Sequence, residues 1–168
     1  MKMTFKKITA AVMAVTTLAV SMVGMSANAA NTEDAYFNNF SAPPSISNTY
    51  LALPEDENGV REKHNNSSVY LYITSSPYSL FVQTWGLMGN NWSSTKANRT
   101  CNANGNSTTS VTVTSGRRYI IKNLINESKY TYAGLKFCSS SYYNYAPIQG
   151  KWSPDFSGNP NLNVTVAN

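Results

Sequence analysis

One histidine, two cysteines and, past residue 62, only two carboxylates leave this 168-residue chain short of the groups most enzymes use. A paired-carboxylate mechanism needs two acids on one substrate. Only Glu127 and Asp155 are available there, Glu127 in a turn and Asp155 after Ser153-Pro154, where an Asp ordinarily hydrogen-bonds turn backbone. His64 lies in the polar stretch Glu62-Lys63-His64-Asn65, and every Ser–His or Cys–His pair would depend on it. No G-x-S-x-G, H-E-x-x-H, phosphate loop or calcium loop occurs. Two cysteines and one distant histidine give no zinc-ligand spacing. The chain therefore reads as a protein that is not an enzyme and uses no metal or cofactor.

Long apolar runs are also missing, except at the start. Lys2, Lys6 and Lys7 precede an apolar run from Ile8 to about Gly24, and small residues follow, ending Ala27-Asn28-Ala29. That is the order of a signal peptide. Thr9, Thr16, Thr17 and Ser21 interrupt the run and no basic flank follows it, which argues against a membrane anchor. Removal of 1–29 would leave 168 − 29 = 139 residues. The expectation is a secreted or wall-associated protein, not integral to the membrane after processing. No Leu-x-x-Cys lipidation box is present, since the cysteines stand at 101 and 138.

The formal charge of +5 is unevenly spread. Three of the 13 basic residues would leave with the signal, so the mature balance is 10 − 8 = +2. Six of the acids precede His64, and from Lys63 onward nine basic residues face two acids. Such a body is drawn toward polyanions such as wall teichoic acids or anionic lipid. No run of five basic residues occurs, so a nucleic-acid partner is not expected, and scattered lysines also serve plain solubility.

Cys101 and Cys138, an isolated pair in an exported chain, are expected to form a disulfide. Closing that loop would restrict the unfolded chain by roughly 3 to 4 kcal/mol. Two free thiols are the alternative.

Residues 30–62 carry an acid run, Pro43-Pro44, Pro54 and Asn58-Gly59, and read as a partly irregular segment ahead of a single β domain over 63–168. Within it, Tyr36, Phe37 and Phe40 would suit an edge strand. From residue 67 a period of two takes over. Val69, Leu71 and Ile73 alternate with Tyr70, Tyr72 and Thr74, and Leu80 to Trp85 alternates again. Val111 and Val113, the turn Ser115-Gly116 and the return through Tyr119 and Ile121 suggest a hairpin. Tyr130 to Cys138 puts Leu135 and Phe137 on one side and Cys138 on the other; Ile148–Ser153 and Leu162–Val166 are further short strands. Six to seven short strands without helical periodicity predict an all-β antiparallel sandwich or small barrel.

Aromatic residues stand out among the candidates for binding. Tyr142, Tyr143 and Tyr145 crowd one loop, and Arg117 and Arg118 supply charge. A flat ring with a polar tip suits a sugar or a partner protein, although tyrosine on strands is also ordinary sheet chemistry. Trp152 before Ser153-Pro154-Asp155 suggests a strand end whose indole covers the core edge, with Asp155 structural; Arg61 and Lys63 are placed to pair with Glu127 or Asp155.

Arg61-Glu62-Lys63, Ser67-Ser68-Val69-Tyr70, Asn126-Glu127-Ser128-Lys129-Tyr130-Thr131-Tyr132-Ala133 and Gly150-Lys151-Trp152-Ser153-Pro154-Asp155 together resemble small secreted proteins of Gram-positive bacteria with no assigned function. The likeness spans roughly residues 61 to 156. Those proteins are similar in size and export to bacteriocins of the lactococcin kind. The resemblance implies export and a β fold, and transfers no catalytic residue. The leading expectation is a non-enzymatic interaction module that engages a cell-envelope component, a glycan or another extracellular protein. The alternative is a bacteriocin-like antimicrobial or toxin.

Overall fold

The computed structural model describes residues 30–158 and 163–168. The expected signal sequence, residues 1–29, lies outside the described residues, as does Leu162. The strands are β1 Ala35–Ala42, β2 Leu51–Ala52, β3 Val60–Glu62, β4 Val69–Ser75, β5 Leu80–Leu87, β6 Lys96–Asn98, β7 Val111–Val113, β8 Arg118–Ile121, β9 Tyr132–Ser139, β10 Ala146–Ser153 and β11 Val164–Val166. They form two sheets, and no α-helix occurs among the described residues. The first sheet runs β1-β10-β4-β8-β11, antiparallel except for the parallel β8–β11 edge. In the second, β9 and β5 are central; β2 and β3 share the outer edge of β9, and β6 and β7 share that of β5.

The protein is an all-β sandwich. The sheets meet over Val69, Leu71 and Ile73 of β4, Leu80 and Val82 of β5, and Leu135 and Phe137 of β9. These are the residues the period of two puts on one face. Burying each such side chain is worth roughly 1.5–3 kcal/mol. Phe137 of the second sheet meets Phe37 and Phe40 of the first, with ring centroids 5.8 and 5.7 Å apart.

The segment 30–62, expected to be partly irregular, carries three short strands that join both sheets, with turns and irregular chain between them. Tyr36, Phe37 and Phe40 do sit on an edge strand, β1. Phe37 and Phe40 are three apart, which breaks strict alternation, yet both are buried. A bulge between them absorbs the odd residue, with Asn39 in the left-handed region at φ 60°. The strand count also exceeds the expected six to seven, mainly through this segment.

The expected hairpin is not one. Val111–Val113 pairs with β5 in the second sheet, whereas Arg118–Ile121 pairs with β4 in the first. The Ser115-Gly116 turn, with Gly116 at φ 79° and its N–H on the Ile73 carbonyl at 2.9 Å, carries the chain from one layer to the other. The two arms meet through side chains instead: the Tyr119 hydroxyl lies 3.0 Å from the Thr114 hydroxyl. Alternation fits this arch as well as a hairpin, because it reports which side is buried and not which edge is paired.

The expected Cys101–Cys138 bridge is also absent, and both residues are buried free thiols. Cys138 stands opposite Phe81 of β5, while Cys101 follows Thr100, whose hydroxyl accepts the N–H of Thr84. Those two points lie three residue steps apart along β5, about 10 Å at roughly 3.3 Å per residue, and on its opposite edges, which keeps the two thiols beyond disulfide reach. Burial pushes both thiols above their ordinary pKa.

Candidate binding site

The chain leaving β10 is tied down by one carboxylate. Asp155 takes Lys63 Nζ at 2.9 Å and the Ser67 hydroxyl at 3.3 Å on Oδ1, and the backbone N–H groups of Asn31 and His64 at 2.8 and 2.9 Å on Oδ2. Lys63 spends its other two donors on the carbonyls of Ser67 and Pro154, both at 2.7 Å. Neither side chain of the pair is exposed. Burial alone would raise the Asp155 carboxyl, but the hydrogen bonds from Lys63, His64 and Asn31 outweigh it and hold the group below its usual range. Of the partners open to Lys63 in the sequence, Asp155 is the one it meets. Beside it, Trp152 is fully buried, with its indole N–H on the Asn58 carbonyl at 3.1 Å and the Arg61 guanidinium 5.9 Å from its ring.

This clamp positions Phe156. Its N–H donates to the Ser67 hydroxyl at 2.9 Å, and its ring stacks on Tyr70 at 6.1 Å and 13°. The two rings form one wall of a cleft of about 360 Å³ on the outer face of the first sheet, with Asp34, Arg118, Lys151 and Ser153 also in its lining. Burial first, and the nearby Asp34 second, raise the Tyr70 phenol, so it stays a hydrogen-bond donor at neutral pH.

Register decides what crosses that face. Tyr36 of β1 is opposite Lys151 of β10, Lys151 is opposite Tyr72 of β4, and Tyr72 is opposite Arg118 of β8. Rings and cations thus alternate across four adjacent strands. Lys151 Nζ lies 5.7 Å from the Tyr36 ring centroid, and the Arg118 guanidinium 5.0 Å from that of Tyr72. Lys151 also pairs with Asp34, which raises its pKa, partly offset by burial. Arg118 keeps a buried Nε with no hydrogen-bond partner among the described residues. A row of this kind suits a ligand that alternates flat apolar faces with negative charge.

The sequence candidates are divided by the fold. Arg118 joins the row and the cleft; Arg117 is exposed in the preceding turn and lines neither. Tyr142, Tyr143 and Tyr145 lie in the β9–β10 loop and remain 57, 74 and 62% exposed. Tyr142 and Tyr143 meet edge to face at 4.7 Å, and the Ser45 and Ile46 N–H groups hold the loop through the Ser141 and Tyr142 carbonyls at 2.9 and 3.1 Å. The loop is a separate exposed cluster that does not line the cleft. Lys151, Asp34 and Tyr36 were not singled out from the sequence. Alternation on β10 would have put Lys151 opposite the buried Trp152 side, but nothing local reveals that Arg118 lies two strands away.

A family model described as "Protein of unknown function (DUF2712)" matches residues 25–156. The chain belongs to this family. No curated protein and no solved structure matches it. The DUF2712 span contains Tyr36, Tyr72, Arg118 and Lys151 together with the Lys63–Asp155 clamp, and stops before β11.

Proposed function

We propose that this DUF2712 protein is an exported, non-enzymatic binding module that holds an anionic polymer of the cell envelope across the outer face of its first sheet. The reading rests on the Tyr36–Lys151–Tyr72–Arg118 row, where cations and rings alternate in register. Strands stand about 4.8 Å apart, so the two cations are roughly 10 Å apart, a spacing compatible with successive charges on a glycan or phosphate polymer. The excess of basic residues after Lys63 draws such a chain to the surface, and the order of residues 1–29 supports export. The cleft beside the row takes a side group or chain end, with the Tyr70 hydroxyl as donor.

The test is retention of the mature protein on isolated Gram-positive cell walls. Binding is expected at low salt, with progressive loss as salt shortens the Debye length to a few ångströms. The Arg118→Gln/Lys151→Gln double variant is expected to lose retention while its unfolding free energy stays within about 1 kcal/mol of the wild type. Retention that the double variant leaves unchanged would overturn the assignment.

A further inference from the structure

The outer face of the second sheet carries a different arrangement, independent of the row. Trp85 on β5 stands opposite Gly134 on β9, and the benzene edge of the Trp92 indole lies against that glycine. A Cβ at 134 would come within 2.6 Å of the Trp92 ring. Glycine inside a strand costs up to about 1 kcal/mol relative to alanine, and here it vacates the space the indole occupies. Both indoles are already fixed through their N–H groups, Trp85 by Gln83 Oε1 and Trp92 by the Leu53 carbonyl, each at 2.8 Å. Both side chains are half-buried, so part of each ring stays open to solvent.

Lys136, opposite Gln83, sets its ammonium between the rings, 3.9 Å from the Trp85 centroid and 5.4 Å from that of Trp92. Beyond these contacts Nζ has no hydrogen bond or ion pair among the described residues. Burial, and then the nearby Lys96, lower its pKa. The acid run Glu55-Asp56-Glu57 lies beside Trp92, and Glu55 accepts the Trp92 backbone N–H and anchors the loop. Two fixed, partly exposed indoles and a cation without an ion pair among the described residues form a surface whose complement is an apolar ring bearing a negative group.

We propose that Trp85, Lys136 and Trp92 form a binding site for an anionic saccharide, whose sugar ring lies against an indole while its carboxylate or phosphate meets Lys136 and Lys96. A neutral sugar would leave the ammonium unmatched. A purely apolar partner would desolvate it at a cost.

The chain has three tryptophans, and Trp152 is fully buried, so ligand-dependent indole fluorescence reports on Trp85 and Trp92. Titration of the mature protein with oligogalacturonate and with glucose 6-phosphate is expected to give saturable quenching by at least one. The stronger of the two identifies a carboxylate or a phosphate as the charged group. Maltotriose is expected to give none. Lys136→Gln, which keeps both rings, should weaken binding by about tenfold or more. Trp85→Phe should lower the amplitude, and Arg118→Gln should change neither. The proposal is overturned if neither anionic probe quenches, if maltotriose quenches equally, or if Lys136→Gln binds like the wild type. Loss of wall retention in the Arg118→Gln/Lys151→Gln variant bears on the other face alone, so each reading fails separately.

Discussion

Lys63–Asp155 and Lys151–Asp34 pair the same residue types, and both aspartates border one cleft, yet water reaches only the second pair. In the first, all three ammonium donors are used and the carboxylate collects four hydrogen bonds from two separate segments of chain, Asn31 and residues 63–67. A buried polar network closed to this degree fixes geometry. In the second, the side chains are 24 and 30% exposed, and the pair stands where an incoming anion would compete with Asp34 for Lys151. Burial and saturation, rather than residue type, separate a tie that holds the chain from one that can be exchanged.

The largest effect that would test this contrast is on Asp155. Asp155→Asn leaves Lys63 buried without its counter-charge and is expected to cost about 3–5 kcal/mol, read by denaturant unfolding. A loss no larger than that of a surface pair would erase the distinction. Acid provides the next test. The Asp155 carboxyl is held below its usual value in the folded protein, so its contribution is complete above the unfolded value of about 3.9 and fades as pH falls through the lower folded value. Wild-type stability should therefore drop more steeply below about pH 4 than that of Asp155→Asn, and parallel pH profiles would contradict the assignment. Asp34→Asn is expected to change stability by no more than about 1 kcal/mol. It should tighten wall retention by freeing Lys151, and weaker retention would count against an exchangeable pair.

Much of the fold was legible in the sequence, for a reason that also explains the failures. Val69–Thr74, Leu80–Trp85 and the stretch before Cys138 alternate cleanly because each has one apolar face, and the structure places strands there. Tyr36, Phe37 and Phe40 suited an edge strand and lie on one, although a bulge at Asn39 shifts the phase between the two phenylalanines. Val111 through Ile121 looked like a hairpin because a pattern of side chains carries no information on which edge pairs. The cysteine pair misled in the same way, since parity and export say nothing of the distance between Thr84 and Phe81 along β5. The site suffers most from this limit. Tyr36, Tyr72, Arg118 and Lys151 are scattered along the chain, and only cross-strand register brings them into line. The tyrosine loop, legible because its members are sequence neighbours, lies apart from that row.

The passage through Ser115-Gly116 has a consequence for how the molecule assembles. Neither layer is contiguous along the chain, and closing the first requires Ala35 to find Trp152 across 152 − 35 = 117 positions. A nascent segment ending before β9 lacks the centre of the second layer, and with it the surface on which the first would rest. Interlacing of this kind favours slow, concerted folding over stepwise growth, and favours collapse only once nearly the whole polypeptide is free to pair.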